Sequence, residues 1–131
     1  MIGIDTNVLV RFLVRDDETQ FDRARRLIRR EAAGGEPVMI SQLVLLEAEW
    51  VLRSRYGLKK SAMVAVLSGL LESADLCIED EASVERALYV WKDSSAEFAD
   101  CLIGARHQTL GCHATASFDT RALQLPGFIS P

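Results

Sequence analysis

Four carboxylates interrupt stretches that otherwise read as protein core: Asp5, Glu47, Asp100 and Asp119. Asp5 closes the apolar run 1–4, and Glu47 lies within a Leu/Val/Trp helical pattern. Asp100 is the only charge between Phe98 and Ala105, and Asp119 follows the apolar and small stretch 114–118. An unpaired carboxylate is costly to bury, so such groups find a hydrogen-bonding partner or hold a cation. No Lys or Arg stands immediately beside any of them. A shared divalent metal accounts for all four together. Oxygen-only, carboxylate-rich ligation suits Mg²⁺ or Mn²⁺, which keep several waters and bind phosphate oxygens. Such ions activate water and offset charge on a phosphoryl transition state, so the chemistry indicated is hydrolysis of a phosphodiester.

Each acid also has a purely structural reading. Asp5-Thr6-Asn7 stands where an N-cap would serve a helix beginning near Val8. Glu47 shares a helical stripe with Leu43, Val44, Trp50 and Val51, which is expected to face inward, with a buried ion pair as its alternative role. Glu49 falls on the flank and is expected to be a solvated charge. Asp100, near the start of a helix apolar nearly all round, could cap or hydrogen-bond there. Asp119 could simply serve a turn. Their joint placement carries more than any one position.

The elements that must position these acids follow from periodicity and punctuation. Residues 1–4 read as a buried strand, and Val8, Leu9, Phe12 and Leu13 recur at helical spacing. Asp16 or Asp17 caps a second helix bearing Phe21, Ala24, Leu27 and Ile28, which Gly34-Gly35 stops. Residues 38–40 form a second strand, and Ser41 caps a helix running toward Tyr56 and ending at Gly57. Ser61 is expected to cap a helix through Ala74, before a third strand at 76–78. Helices over 81–92 and 96–109 precede a fourth strand at 113–116, with Phe128-Ile129 as a fifth at the edge. Strands separated by helices imply crossover connections, hence a three-layer α/β/α domain around a mainly parallel sheet of four to five strands. Sites in such sheets form beyond the carboxyl ends of the strands, where Asp5, Glu47, Asp100 and Asp119 would converge.

Composition sets the outer limits. The 131 residues suit a single domain with one core, and 49% hydrophobic with 26% charged content is ordinary for a globular chain. A net charge of −4 argues against duplex binding by surface charge alone, yet a metal would neutralise an acidic cluster in a nucleic-acid enzyme. Three widely spaced cysteines and two histidines without ligand spacing indicate neither a zinc site nor a disulfide scaffold. No basic leader precedes residues 1–4, and the longest apolar stretch, 62–71, is too short to span a bilayer, so a reducing cytoplasm is expected.

Ile4-Asp5-Thr6-Asn7-Val8-Leu9-Val10-Arg11-Phe12-Leu13 resembles the opening of PIN-domain proteins, in particular VapC-type toxins of toxin–antitoxin pairs. The likeness continues at Leu46-Glu47-Ala48-Glu49-Trp50-Val51-Leu52, at Glu97-Phe98-Ala99-Asp100-Cys101-Leu102-Ile103, at Ala116-Ser117-Phe118-Asp119 and at Leu125-Pro126-Gly127-Phe128. These landmarks span nearly the whole chain in family order. The resemblance implies a Mg²⁺- or Mn²⁺-dependent endoribonuclease with Asp5 and Asp100 as principal ligands. Glu47 would orient water and Asp119 would complete the acidic pocket. Thr6, Asn7 and Ser117 match supporting polar positions, Ser117 standing where Thr is common, and Glu97 is expected at the rim. The resemblance further implies an RNA substrate, a cognate antitoxin protein and a homodimer, with no membrane partner. Apolar faces around Phe12, Phe21, Ile28 and Trp50 are candidate contact surfaces.

Arg23, Arg25, Arg26, Arg29 and Arg30 read as a solvated helix face, whereas Arg11, Arg15, Arg106 and Arg121 lie nearer the acids and are expected to meet substrate. Two rivals remain. A receiver-type signalling module would need paired acids after the first strand and a Lys after the last, and neither is present. A catalytically inactive PIN-like scaffold would have no need to retain all four acids.

Overall fold

Ile4 is buried and its amide donates to Met39 O at 3.1 Å, while Met39 N donates to Ile2 O at 2.8 Å. That is as far as pairing goes for residues 1–4, which make a single parallel bridge, Gly3 to Met39, instead of the expected strand. The computed structural model describes residues 1–131, which form two compact units, Met1–Glu79 and Asp80–Pro131.

In the first unit, helices α1 (Thr6–Leu13) and α2 (Glu18–Ala33) precede strand β1 (Val38–Ile40). Helices α3 (Gln42–Ser54) and α4 (Lys60–Glu72) then lead to strand β2 (Leu76–Ile78). Strands β1 and β2 pair in parallel, Val38 with Leu76 and Ile40 with Ile78, and these four alternate residues are all buried. Parallel neighbours require a crossover, which α3 and α4 supply. Asp17 caps α2 by accepting from Gln20 N at 2.9 Å, and Ser41 caps α3 by accepting from Val44 N at 3.3 Å. Past α3, Gly57 takes a φ of 65°, a left-handed conformation that glycine adopts without a Cβ clash. Helix α4 departs from expectation: it starts at Lys60 with no side-chain cap and stops at Glu72. Burial of Met63, Leu67 and Leu70 holds it without a capping bond.

Helix α3 presents the other face from the one its sequence suggested. Its inward row is Leu45, Ala48, Glu49 and Leu52, whereas Leu43 is 81% and Trp50 52% exposed, and Glu47 is exposed between them. The helix is apolar around much of its circumference, so periodicity offered two stripes, and the one containing small Ala48 is buried. Glu49, expected to be solvated, is only 4% exposed, and its carboxylate accepts from Arg53 Nε at 3.0 Å. The buried ion pair considered for Glu47 therefore belongs to Glu49.

In the second unit, helices α5 (Glu81–Lys92) and α6 (Phe98–Thr109) pack together and are followed by β3 (Thr115–Ala116) and β4 (Phe128–Ile129). Trp91 Nε1 donates to Ala96 O at 3.1 Å and Ala96 N to Ser94 Oγ at 2.9 Å, so the segment before α6 is tied down and the helix begins at Phe98 instead of Ala96. Strands β3 and β4 pair in parallel, Thr115 with Phe128 and Ala116 with Ile129. Ladder pairing gives two two-stranded parallel pairs, one in each unit. Six helices with short parallel strands make the chain mixed α/β. At Gly104 in α6, an added Cβ would lie 2.5 Å from Phe128 Cε1, closer than atoms tolerate. No helix is long and apolar enough to cross a membrane.

Asp80 caps α5 from a left-handed φ of 50°, a region that Asp and Asn tolerate better than most residues. Its carboxylate accepts from Ser83 Oγ at 2.6 Å and Arg106 Nη1 at 2.8 Å. The Ser83 hydroxyl first, then Arg106, hold the carboxyl below its ordinary 3.8 despite partial burial. A lowered folded pKa stabilises the native state above 3.8 and ceases to do so as pH falls through the folded value. Asp80→Asn keeps the backbone preference and loses the charge. It should cost about 1–3 kcal/mol at neutral pH, with the gap to the unaltered chain closing in acid, as read by urea melts across pH.

Candidate active site

Asp5 sits immediately before α1 and caps it, its Oδ1 accepting from Val8 N at 3.0 Å. The capping role considered from sequence is therefore present, and it engages one oxygen of an exposed carboxylate. The next residue, Thr6, donates its hydroxyl to Glu47 Oε1, linking the first turn of α1 to the outer face of α3. The structure thus joins three expected site residues of this unit through one short path. Asn7 and Asp5 line a cavity of about 410 Å³ together with Arg11, Arg23, Ala24 and Leu27.

Arg11 is less available than expected. Its Nη1 bonds both Asp16 oxygens at 3.0 and 3.1 Å, its Nε donates to Gln20 at 2.7 Å, and Tyr56 OH stands 3.3 Å away. The Asp16 hydrogen bond and charge raise the Arg11 pKa further, so it is a permanent cation committed to a local network. Arg15 is likewise held by Glu18 at 3.0 Å and lies over the Phe21 ring, and Arg106 by Asp80. In the α2 run, Arg25 and Arg26 pair with Asp22, and Arg30 with Glu31, consistent with a solvated face.

In the second unit, Asp100 lies in the first turn of α6 and is half-buried. Burial raises its pKa above 3.8, reinforced by the negative charge of Asp119 and then of Glu97. These three carboxylates therefore feel one another. Asp119 is oriented by its own loop: its amide donates to Ser117 Oγ at 3.0 Å, and its Oδ1 accepts from Arg121 N at 2.8 Å and Ala122 N at 3.1 Å. Ser117 thus bonds the Asp119 backbone. Glu97 is the residue before α6, makes no capping bond, and shares a cleft of about 350 Å³ with Phe118, Asp119, Thr120 and Arg121. Arg121 is the one of the four expected substrate-facing arginines with no carboxylate partner.

Within neither unit do three acids, histidines or cysteines close into a ready-made metal cage. The donors present nevertheless fit a hard divalent ion, which takes one or two carboxylates and keeps most of its water. They are all carboxylate oxygens, and Asp100 feels the like charges of Asp119 and Glu97. Sequence reasoning did not find the cavity between α1 and α2 or the exposure of Phe118. The first arises from the angle between two helices, and the second from a loop whose direction no pattern encodes.

A family model described as the PIN domain matches residues 2–127, almost the whole chain. No curated protein matches it. PIN domains are in general nucleases, hence hydrolases.

Proposed function

Since the chain belongs to the PIN-domain family, we propose that it is a divalent-metal-dependent endoribonuclease that serves as the toxin of a type II toxin–antitoxin pair. The family match runs through both compact units, which supports treating them as one domain. Asp5 and Asp100 would be the principal ligands, Asp119 would complete the set, and Glu47 would orient the attacking water. Mg²⁺ or Mn²⁺, when bound, would supply Lewis acidity and neutralise charge on the phosphoryl group.

The observation that carries this reading is the half-buried Asp100, whose carboxylate feels the like charges of Asp119 and Glu97. A chain gains nothing in stability from that arrangement, whereas a metal site needs it. Thr6 fixes one Glu47 oxygen, leaving the other for water, and Ser117 with the amides of Arg121 and Ala122 holds Asp119 in place. The exposed Leu43 and Trp50 on α3 support the homodimer and antitoxin contacts of this proposal.

The purified chain should cleave RNA with Mg²⁺ or Mn²⁺ and stop when a chelator is added. Asp5→Asn should abolish cleavage without unfolding, because Asn caps a helix about as well as Asp. End-labelled RNA on a gel and circular dichroism check both. Cleavage indifferent to chelator, or undiminished in Asp5→Asn, would overturn the assignment.

A further inference from the structure

Phe118 is 86% exposed, the greatest exposure of any large hydrophobic side chain in the protein. A ring of that size left in water forgoes the burial that places Phe98 and Trp91 inside. Lone exposed apolar residues are common, and exposure alone carries nothing. Three further observations set this one apart. Its backbone is held on both sides: Ser117 N donates to Ile129 O at 3.0 Å, and Asp119 N to Ser117 Oγ at 3.0 Å. The ring is therefore presented from an ordered turn. It also borders the open cleft of about 350 Å³ that Glu97 and Asp119 line. On the same cleft stands Arg121, whose backbone amide serves Asp119 but whose guanidinium has no carboxylate partner.

We propose that Phe118 and Arg121 form a subsite for one unpaired nucleotide next to the bond being cut, Phe118 stacking its base and Arg121 meeting its phosphate. This rests on the ribonuclease reading above. An aromatic face with a cation beside it is the combination that holds single strands without reading their sequence. A stacked A-form duplex hides its base faces, so only a splayed or single-stranded nucleotide can use such a ring. The guanidinium also offsets the repulsion that Glu97 and Asp119 exert on an incoming phosphate. Phe118 and Arg121 are positioning residues and take no part in moving protons.

Phe118→Leu should raise KM for a single-stranded RNA about tenfold, the size of one lost base stack. It should leave kcat, Mn²⁺ affinity and the melting temperature unchanged. Phe118→Trp should restore KM, and its indole emission should be quenched by a short single-stranded RNA in calcium-containing buffer, and not by the same sequence as a duplex. Unchanged KM in Phe118→Leu together with an unquenched Phe118→Trp overturns the subsite, as does equal quenching by duplex. A change from dimer to monomer in Phe118→Leu with unchanged RNA parameters would assign the ring to a protein interface and also overturns it. If the unaltered chain cleaves no RNA, the nuclease reading fails by itself, and the quenching experiment still decides the subsite.

Discussion

Asp100→Asn should remove RNA cleavage, lowering kcat about a thousandfold, and yet make the metal-free chain more stable. The two effects have opposite signs because, on the proposed reading, the charge that strains the fold is the one that holds the metal. Burial first, and then Asp119 and Glu97, raise the Asp100 pKa above its ordinary 3.8. The folded chain therefore binds that proton more tightly than the unfolded chain does. The native state is penalised at pH values above the folded pKa, and the penalty fades as pH falls toward 3.8. Neutral asparagine escapes it, so the variant's advantage should be present at pH 7 and absent below 3.8. Adding Mn²⁺ should raise the melting temperature of the unaltered chain by mass action and do much less for the variant. Calorimetric scans across pH, with and without Mn²⁺, give the comparison. A variant that melts lower than the unaltered chain at pH 7 without metal would contradict the account, and so would one that still cleaves RNA.

Phe98→Ala should destabilise the second unit by about 3–5 kcal/mol, the range for emptying an aromatic site in a packed core. Phe98 is 1% exposed, and its ring meets Trp91 edge-to-face, with centroids 5.3 Å apart and planes at 62°. Such a pair adds about 0.5–1.5 kcal/mol beyond burial. The Trp91 indole in turn bonds Ala96 O just upstream, so this cluster pins the start of α6. Asp100 follows two residues later, and loosening that turn should weaken Mn²⁺ binding even though no ligand has been altered. Phe98→Leu, which keeps much of the volume, should recover most of both losses. Guanidinium melts and Mn²⁺ titrations on the pair measure them, and a loss below about 1 kcal/mol for the alanine variant would show the site to be slack.

The residues that could be read from sequence were those whose role is local. Asp17 and Ser41 cap the helices their positions announced, and Gly57 turns the chain after α3. Strands β1 and β2 match their expected bounds because each is a short apolar run between breakers. The candidate acids were legible for a similar reason: a charge within an apolar segment is conspicuous in one dimension. What could not be read was which side of an element meets its neighbours. Helix α3 is apolar on two sides, so Glu47 and Glu49 exchanged their expected environments. Arg11, Arg15 and Arg106 lie near the acids in sequence but are claimed by Asp16, Glu18 and Asp80, choices that depend on side-chain reach. Residues 1–4 have the composition of a strand and make one bridge, because pairing is decided by the partner as well as by the segment.

Gly104 stands one turn beyond Asp100 on α6, about 6 Å along the axis. The Phe128 ring rests where a methyl group would otherwise project. A helix behaves as a stiff rod over so short a span, so the depth at which that bare carbon seats against the aromatic determines where the acidic turn comes to lie. Placement of the Asp100 carboxylate is thus governed in part by a side chain the protein does without.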